Sequence, residues 1–337
     1  MPGAAGRVVL LGYAGAQNLG DEAILAGSLD LIRTFGDDFT PLVVSLDPAD
    51  TERRHQVEAW PRTRFGALLK TLGAGDRFLL GGGGLLQDST SLGSLGYYLR
   101  AAAAAGRRSP VAYWAIGVGP LSRTGRWVLA RAPAPQVAVA RDPASLALLG
   151  HSGVPADRLV LGADAAYQLL SVPARTSRWI GFAPRSVPGL DVEALARQLV
   201  LVARDSGRQI RVFAMDSRQD SDLVRQLVRS HGPVMEFCEL PAESEGILTL
   251  FSELEYMVAI RLHAMILASL AGVPSVAVPY DPKVEREARL LGMPLWSEWH
   301  LHPQTTPGPG RGQLAASVAG RRTQLQSAFA AMWQALA

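Results

Sequence analysis

The chain has 337 residues, of which 48% are hydrophobic and 19% charged, and this composition excludes a disordered chain. The length suits two domains that each bury their own apolar core. The formal net charge is +3, and basic residues are scattered along the sequence without an interleaved basic and aromatic strip. We therefore expect no nucleic-acid-binding function.

Cysteine content and apolar runs indicate where the protein works. The single cysteine, Cys238, argues against a disulfide-stapled secreted fold and is predicted to be a core residue. The first residues carry one arginine before a short apolar run, which predicts a first strand and not a signal peptide. The longest apolar stretch, residues 265–280, is broken by Gly272 and Pro274, so no membrane-spanning helix is expected. These features favour the cytoplasm.

Short apolar runs alternate with helix-length segments, which predicts βαβ units and parallel sheets. A first series of strands is expected at residues 7–12, 41–46, 77–80, 111–116, 137–140 and 159–161, and a second at 179–183, 209–214, 234–237, 256–260 and 275–278. Residues 171–177 resemble a linker. We expect an α/β protein with two Rossmann-like domains, residues 1–171 and 178–311, which face a central cleft as in the GT-B fold. Residues 312–337 are expected to form a helix that packs on the body.

Two polar or glycine-rich turns follow strands of the first predicted domain. Asn18 and Asp21 lie between the first strand and a helix, where Asp21 is a helix cap or a substrate contact. Four glycines, residues 81–84, are predicted to follow a strand and to precede a polar segment that contains Asp88. Close approach of the backbone to a sugar or phosphate is our favoured interpretation of Gly83 and Gly84, and a tight turn is the alternative.

The most informative segment of the second predicted domain is residues 256–283. Arg261 and His263 stand between a predicted buried strand and a buried helix, where open α/β sheets bind ligands and helix N-termini attract anions. Lys283 follows the next predicted strand and is one of only two lysines, against thirty-one arginines. The retained lysine weakly suggests a need for a compact ammonium group.

Two further arginines are predicted to end strands. Arg141 follows the strand at 137–140, and Arg185 follows the strand at 179–183. A guanidinium group pairs with carboxylate or phosphate through two parallel hydrogen bonds, so both are candidates for an anion site. His300 and His302 are spaced like metal ligands, but no cysteine or acidic cluster has matching spacing. We expect them in a loop and expect no metal site.

Together these segments resemble the polysaccharide pyruvyl transferase family, most closely its bacterial CsaB-type members. The resemblance covers most of residues 7–290, and it depends on the order and spacing of several motifs. The matching segments are residues 12–13, 18–25, 81–88, 116–120, 140–145, 162–166 and 261–283.

The resemblance implies transfer of the enolpyruvyl group of phosphoenolpyruvate to a sugar, with formation of a pyruvate ketal and release of phosphate. For CsaB-type proteins it implies N-acetylmannosamine of a lipid-linked cell-wall glycan precursor as acceptor, at the inner membrane surface, and a ketal that later anchors S-layer proteins. Phosphoenolpyruvate is then a co-substrate, and no cofactor is expected. The resemblance implies that His263 is the general acid and that Arg261 and Lys283 bind the phosphate. Either Arg141 or Arg185 would bind the carboxylate. The residues implied to contact the acceptor are Asn18, Asp21, Gly83, Gly84 and Asp88.

Two alternatives stay open at this point. A GT-B glycosyltransferase would hold the diphosphate of a nucleotide sugar with Arg261 and Lys283. A non-catalytic sugar-binding or assembly protein would retain the fold and bind without turnover. The protonation state of His263 and the oligomeric state are not fixed by the sequence.

Overall fold

The computed structural model describes residues 6–36, 38–175, 177–299 and 307–337. The described residues form two compact units, each built on one parallel β-sheet. Within the described residues, unit 1 comprises 6–16, 21–168 and 321–337, and unit 2 comprises 17–20 and 169–320. The expected α/β class with parallel sheets is confirmed.

The sheet of unit 1 has seven parallel strands in the order β3-β2-β1-β4-β5-β6-β7. Its strands are β1 (Gly6–Leu11), β2 (Phe39–Ser45), β3 (Glu58–Pro61), β4 (Arg77–Leu86), β5 (Val111–Val118), β6 (Val137–Ala140) and β7 (Leu159–Leu161). The helices that connect them are α1 (Leu19–Phe35), α2 (Pro48–His55), α3 (Phe65–Thr71), α4 (Leu92–Ala105), α5 (Arg123–Leu129) and α6 (Pro143–His151).

The strand order places the connecting helices of unit 1 on the two faces of its sheet. Because parallel crossovers are right-handed, the leftward connections α1 and α2 cover one face, and the rightward connections α3 to α6 cover the other. On the α3 to α6 face, Phe78 and Tyr113 pack with Leu95 of α4 in a continuous apolar core. Burial on both faces explains why these strands are almost uninterrupted apolar runs.

The sheet of unit 2 has five parallel strands in the order β10-β9-β8-β11-β12. Its strands are β8 (Trp179–Ala183), β9 (Gln209–Val212), β10 (Met235–Phe237), β11 (Leu254–Ala259) and β12 (Ser275–Ala277). The helices of the second half of the chain are α7 (Val192–Asp205), α8 (Ser221–His231), α9 (Ser244–Phe251), α10 (Leu262–Leu270), α11 (Pro282–Leu290), α12 (Trp296–Trp299) and α13 (Arg311–Ala335). No described helix is long and apolar enough to cross a bilayer.

Three expectations about strands and the core need correction. The four glycines 81–84 lie inside β4 and do not follow it. Strand β3 was not predicted, because Glu58–Pro61 is short, polar at its start and placed at the sheet edge. Cys238 is half-buried, since it follows the edge strand β10, where one side of the ladder has no neighbour.

Helix α13 begins in unit 2 and ends in unit 1. Within unit 1, the Phe329 ring lies edge-on to Trp114 of β5 with centroids 4.9 Å apart, and it also packs on Phe35 of α1. The end of the helix therefore covers the α1 side of the sheet.

Candidate anion site at the carboxyl edge of the second sheet

Four strands of unit 2 end at the same edge of the sheet. Ala183, Ala259 and Ala277 are register partners at the ends of β8, β11 and β12, and β9 pairs in parallel with β8. The residues that follow these strands therefore lie at one edge, where open α/β sheets bind ligands. The polar residues gathered there are Arg185 after β8, Asp216 and Asp220 after β9, Arg261 and His263 after β11, and Tyr280, Asp281 and Lys283 after β12.

Arg261 occupies the position that caps α10, and its side chain is held by a carboxylate. Its Nε donates to Asp220 Oδ2 at 3.0 Å, and its Nη2 donates to Asp220 Oδ1 at 2.6 Å. Asp216 is a second acidic neighbour, 3.9 Å from Nη2. Arg261 is 7% exposed and Asp220 is fully buried. Asp220 thus occupies the two N–H groups of Arg261 that were expected to bind phosphate.

Asp220 is the residue that sequence reasoning missed. Burial raises the pKa of its carboxyl, while the hydrogen bonds and charge of Arg261 act in the opposite direction. Its Oδ2 also accepts a hydrogen bond from the backbone N–H of Asp216 at 3.0 Å. Asp220 is 41 residues from Arg261 in the chain, so no local motif links them.

His263 lies in the first turn of α10, directly against Gly20. A Cβ added to Gly20 would stand 2.2 Å from His263 Nδ1 and 2.5 Å from its Cγ. No side chain larger than hydrogen fits there while the imidazole keeps its place. Gly20 therefore makes room for the candidate acid.

The short segment Gln17–Gly20 belongs to unit 2 because its backbone pairs there. The N–H of Leu19 donates to Met215 O at 2.9 Å, and the N–H of Ser217 donates to Gln17 O at 3.3 Å. Asn18 forms an isolated antiparallel bridge with Asp216, and its Oδ1 accepts from the N–H of Gly20 at 3.0 Å. Asn18 therefore shapes the backbone beside His263, and a contact between Asn18 and the acceptor stays a prediction.

Arg185 and Lys283 are joined through Tyr280. Arg185 Nη1 donates to the Tyr280 hydroxyl at 2.6 Å, and Lys283 Nζ lies 6.0 Å from the centroid of the Tyr280 ring. Asp281 contacts Lys283 through both carboxylate oxygens. Its Oδ2 lies 3.1 Å from Lys283 Nζ, and its Oδ1 accepts a hydrogen bond from the backbone N–H of Lys283. Among the described residues, Arg185 pairs with no carboxylate. Arg185 is consequently the cation of this edge whose charge is least compensated.

Unit 1 holds the other predicted arginine, Arg141, at the end of β6. It is 6% exposed, and its Nη1 donates to Asp164 Oδ2 at 3.2 Å. Its guanidinium group crosses the ends of neighbouring strands, because a Cβ at Gly117 would be 2.7 Å from its Nε and one at Gly84 would be 3.5 Å from its Nη2. Gly84 is thus exposed beside a buried cation, and its contact with a ligand stays a prediction.

The Asp88 carboxylate accepts hydrogen bonds from within the protein. The N–H of Ser122 donates to Asp88 Oδ1 at 2.9 Å, and the Ser122 hydroxyl donates to Oδ2. The hydrogen bond from the Ser122 hydroxyl is the main cause that holds the pKa of Asp88 below its usual range. Asp88 therefore ties the loop after β4 to the start of α5, an arrangement that favours a structural role.

The remaining predicted residues of unit 1 lie near the glycines of β4. A Cβ at Gly83 would be 3.5 Å from Asp21 Oδ1, so the backbone of β4 approaches the first turn of α1. No group of three or more metal-binding side chains occurs in the ranges that the structure covers. His300 and His302 lie outside the described residues.

Several solved structures share the fold of this chain. HepE from Anabaena in complex with UDP-glucose is 14% identical, with a TM-score of 0.57, and the match covers 98% of this chain and 95% of that chain. MnaA from S. aureus with UDP is 9% identical, with a TM-score of 0.62 and coverage of 96% and 91%. UDP-GlcNAc 2-epimerase from Neisseria meningitidis bound to UDP-GlcNAc is 10% identical, with a TM-score of 0.59 and coverage of 98% and 99%. At these identities the likeness concerns the fold alone.

A search among curated proteins finds no significant match. The sequence pattern of the family described as polysaccharide pyruvyl transferase matches residues 18–282, most of the chain. This range includes Arg261 and His263 and ends one residue before Lys283. The chain belongs to the polysaccharide pyruvyl transferase family.

Proposed function

We propose that the protein transfers the enolpyruvyl group of phosphoenolpyruvate to a sugar and closes it into a pyruvate ketal. The observation that carries the proposal is the placement of His263 at the start of α10, at the strand edge that also bears Arg185, Arg261 and Lys283. Phosphoenolpyruvate presents a carboxylate and a phosphate, so it requires cations beside a proton donor.

The chemistry balances with one acid and two acceptor hydroxyls. The oxygen of an acceptor hydroxyl adds to C2 and the hydroxyl proton passes to solvent, while C3 takes a proton from His263. The bond from C2 to the phosphate oxygen then breaks, and phosphate leaves with the electron pair. A second hydroxyl of the same sugar adds to C2 and releases its proton, which completes the ketal. The intermediate resembles an oxocarbenium ion, so positioned charges that neutralise the leaving phosphate lower the barrier.

The contacts within unit 2 support different tasks for the cations. Arg185 has only the neutral Tyr280 hydroxyl as its hydrogen-bond partner in the described chain, so it is the first candidate to bind an incoming anion. Lys283 forms an ion pair with Asp281. Its ammonium group can change position to meet a ligand, because a lysine side chain has four rotatable bonds. Arg261 is fixed by Asp220, and we propose that its remaining N–H groups supply positive charge beside the phosphate.

For the acceptor we propose N-acetylmannosamine in a lipid-linked cell-wall glycan precursor, as the resemblance to CsaB-type proteins implies. The reaction would then take place at the cytoplasmic face of the membrane, and its product would serve S-layer anchoring. Asp21, Gly83 and Gly84 are the residues of unit 1 that we propose for acceptor contacts. Asn18 is the corresponding candidate in unit 2.

The decisive experiment measures phosphate release from phosphoenolpyruvate with synthetic disaccharide or lipid-linked acceptors. Release that depends on the acceptor, together with a product whose mass increases by one pyruvate ketal, supports the proposal. Acceptor-dependent release of a nucleoside diphosphate from a nucleotide sugar, with no response to phosphoenolpyruvate, would instead identify a glycosyltransferase. Binding of sugars without either reaction would identify a non-catalytic protein.

A further inference from the structure

Residues 89–140 contain six arginines and no aspartate or glutamate, although the whole chain has a net charge of only +3. All six side chains belong to exposed residues. Within the described part of the chain, none of the six forms an ion pair with a carboxylate. We call this set the α4–α5 arginine surface: Arg100, Arg107, Arg108, Arg123, Arg126 and Arg131.

The fold of unit 1 brings these arginines to one side. Helices α4 and α5 follow successive strands that lead in the same direction across the sheet, so both cover the same face. Both helices begin at the carboxyl edge, where Asp88 binds Ser122 and ties their starting loops together. They then run side by side toward the amino edge. The six arginines are spread over 32 residues of the sequence, and the packing of α4 beside α5 brings them to one face of unit 1.

The outer face of α5 also carries a large apolar side chain. Arg123, Arg126 and Trp127 are exposed residues of α5, whereas Leu129 belongs to the core. Arg131 is exposed in the turn that follows the helix. Trp127 is 56% exposed, and the guanidinium carbon of Arg131 lies 4.0 Å from its ring centroid. Leu92, at the start of α4, is 43% exposed. Tryptophan and arginine are both enriched in interaction surfaces, so their combination here indicates a docking face.

We propose that the α4–α5 arginine surface docks on an anionic lipid bilayer. Each arginine near such a membrane contributes electrostatic attraction, and tryptophan prefers the level of the lipid headgroups. Leu92 adds an aliphatic group that can enter the acyl boundary but gains nothing from a sugar-phosphate chain. Arg131 already covers one face of the Trp127 ring, which leaves less of it for stacking with bases. These features favour a bilayer over RNA as the partner.

The test measures co-sedimentation of the full-length protein with vesicles, so it does not depend on turnover or on the proposed reaction. Vesicles of phosphatidylcholine with about one third phosphatidylglycerol should bind the protein, and pure phosphatidylcholine should bind it weakly. The triple variant Arg123→Gln/Arg126→Gln/Arg131→Gln should lose about 5-fold per arginine, on the order of 100-fold in all. Trp127→Ala should weaken binding several-fold at unchanged charge.

A matched control separates this surface from net charge. Arg204→Gln/Arg225→Gln/Arg229→Gln removes the same charge from exposed positions of unit 2 and should bind vesicles like the parent. The proposal is overturned if the two triple variants bind equally well, or if phosphatidylglycerol does not strengthen binding. It is also overturned if Trp127→Ala leaves vesicle binding unchanged and single-stranded RNA binds more tightly than vesicles through the same arginines.

Discussion

Replacement of Asp220 by alanine should strongly destabilise unit 2. Asp220 is fully buried and gives both carboxylate oxygens to Arg261, which is itself 7% exposed. Removal of the carboxylate would leave a buried guanidinium with only the more distant Asp216, 3.9 Å from Nη2, as counter-charge. Loss of one partner of a buried ion pair typically costs about 3–5 kcal/mol. Since about 1 kcal/mol shifts the melting temperature by roughly 2–4 °C in a domain of this size, we expect a decrease of roughly 6–20 °C.

Urea denaturation of the single and double variants measures this interaction directly. Asp220→Ala/Arg261→Met removes both charges and fills part of the space with an apolar side chain. The double variant removes the buried guanidinium together with its main carboxylate partner, while Asp216 keeps its hydrogen bonds from the backbone N–H groups of Arg218 and Gln219. It should therefore be more stable than Asp220→Ala alone by about 2 kcal/mol or more. The slope of the denaturation curve should stay the same, which indicates that only the folded state has changed.

The exposed pair Asp222 and Arg225 provides the control, because its atoms are 3.2 Å apart but its side chains are 101% and 59% exposed. Asp222→Ala should change the free energy of unfolding by less than about 0.5 kcal/mol, since solvent screens such pairs. The reasoning is refuted if Asp220→Ala is equally harmless, or if the double variant loses as much as the sum of the two single variants.

Four further outcomes test the site. His263→Gln should reduce turnover on the order of 10²- to 10⁴-fold while phosphoenolpyruvate still binds; activity within tenfold of the parent would exclude it as the acid. Gly20→Ala should displace the imidazole and lower kcat more than affinity, whereas Gly66→Ala, whose added Cβ meets no atom within 4 Å, should leave kcat unchanged. Arg185→Gln should raise the KM for phosphoenolpyruvate, and wild-type affinity by titration calorimetry would contradict its role. Phosphoenolpyruvate at 100 times its dissociation constant should stabilise the fold by about 2.7 kcal/mol, and a UDP-sugar should stabilise it less; stronger stabilisation by the UDP-sugar would favour a glycosyltransferase.

Several strands could be predicted from the sequence to the residue. The predicted bounds 137–140, 159–161 and 179–183 coincide with β6, β7 and β8. These apolar runs are short and end at a charge, a glycine or a proline. A strand with neighbours on both faces needs apolar side chains at every position, so its composition alone marks its limits.

Local strand propensity predicts the wrong end for β4, at its run of four glycines. Glycine weakens an isolated strand, and the predicted strand ends before Gly81. In the fold, a Cβ at Gly81 would stand 1.9 Å from Trp114 O, and one at Gly82 would stand 2.7 Å from Ile24 Cγ2. Gly81 and Gly83 also have φ angles of 143° and 91°, which other residues rarely adopt. The need for glycine comes from α1 and β5, which are distant in the sequence.

The α/β class and the placement of Arg185, Arg261, His263 and Lys283 after strands could be predicted from the sequence, because apolar periodicity and helix-stop signals are local properties. The contacts of these side chains could not, because they depend on how distant segments pack. The pairing of Asp220 with Arg261 depends on β8 lying between β9 and β11, and the packing of Gly20 on His263 depends on backbone pairing between Gln17–Gly20 and the turn after β9. Strand order and the docking of distant segments follow from the free energy of the whole fold, and no short stretch of sequence encodes them.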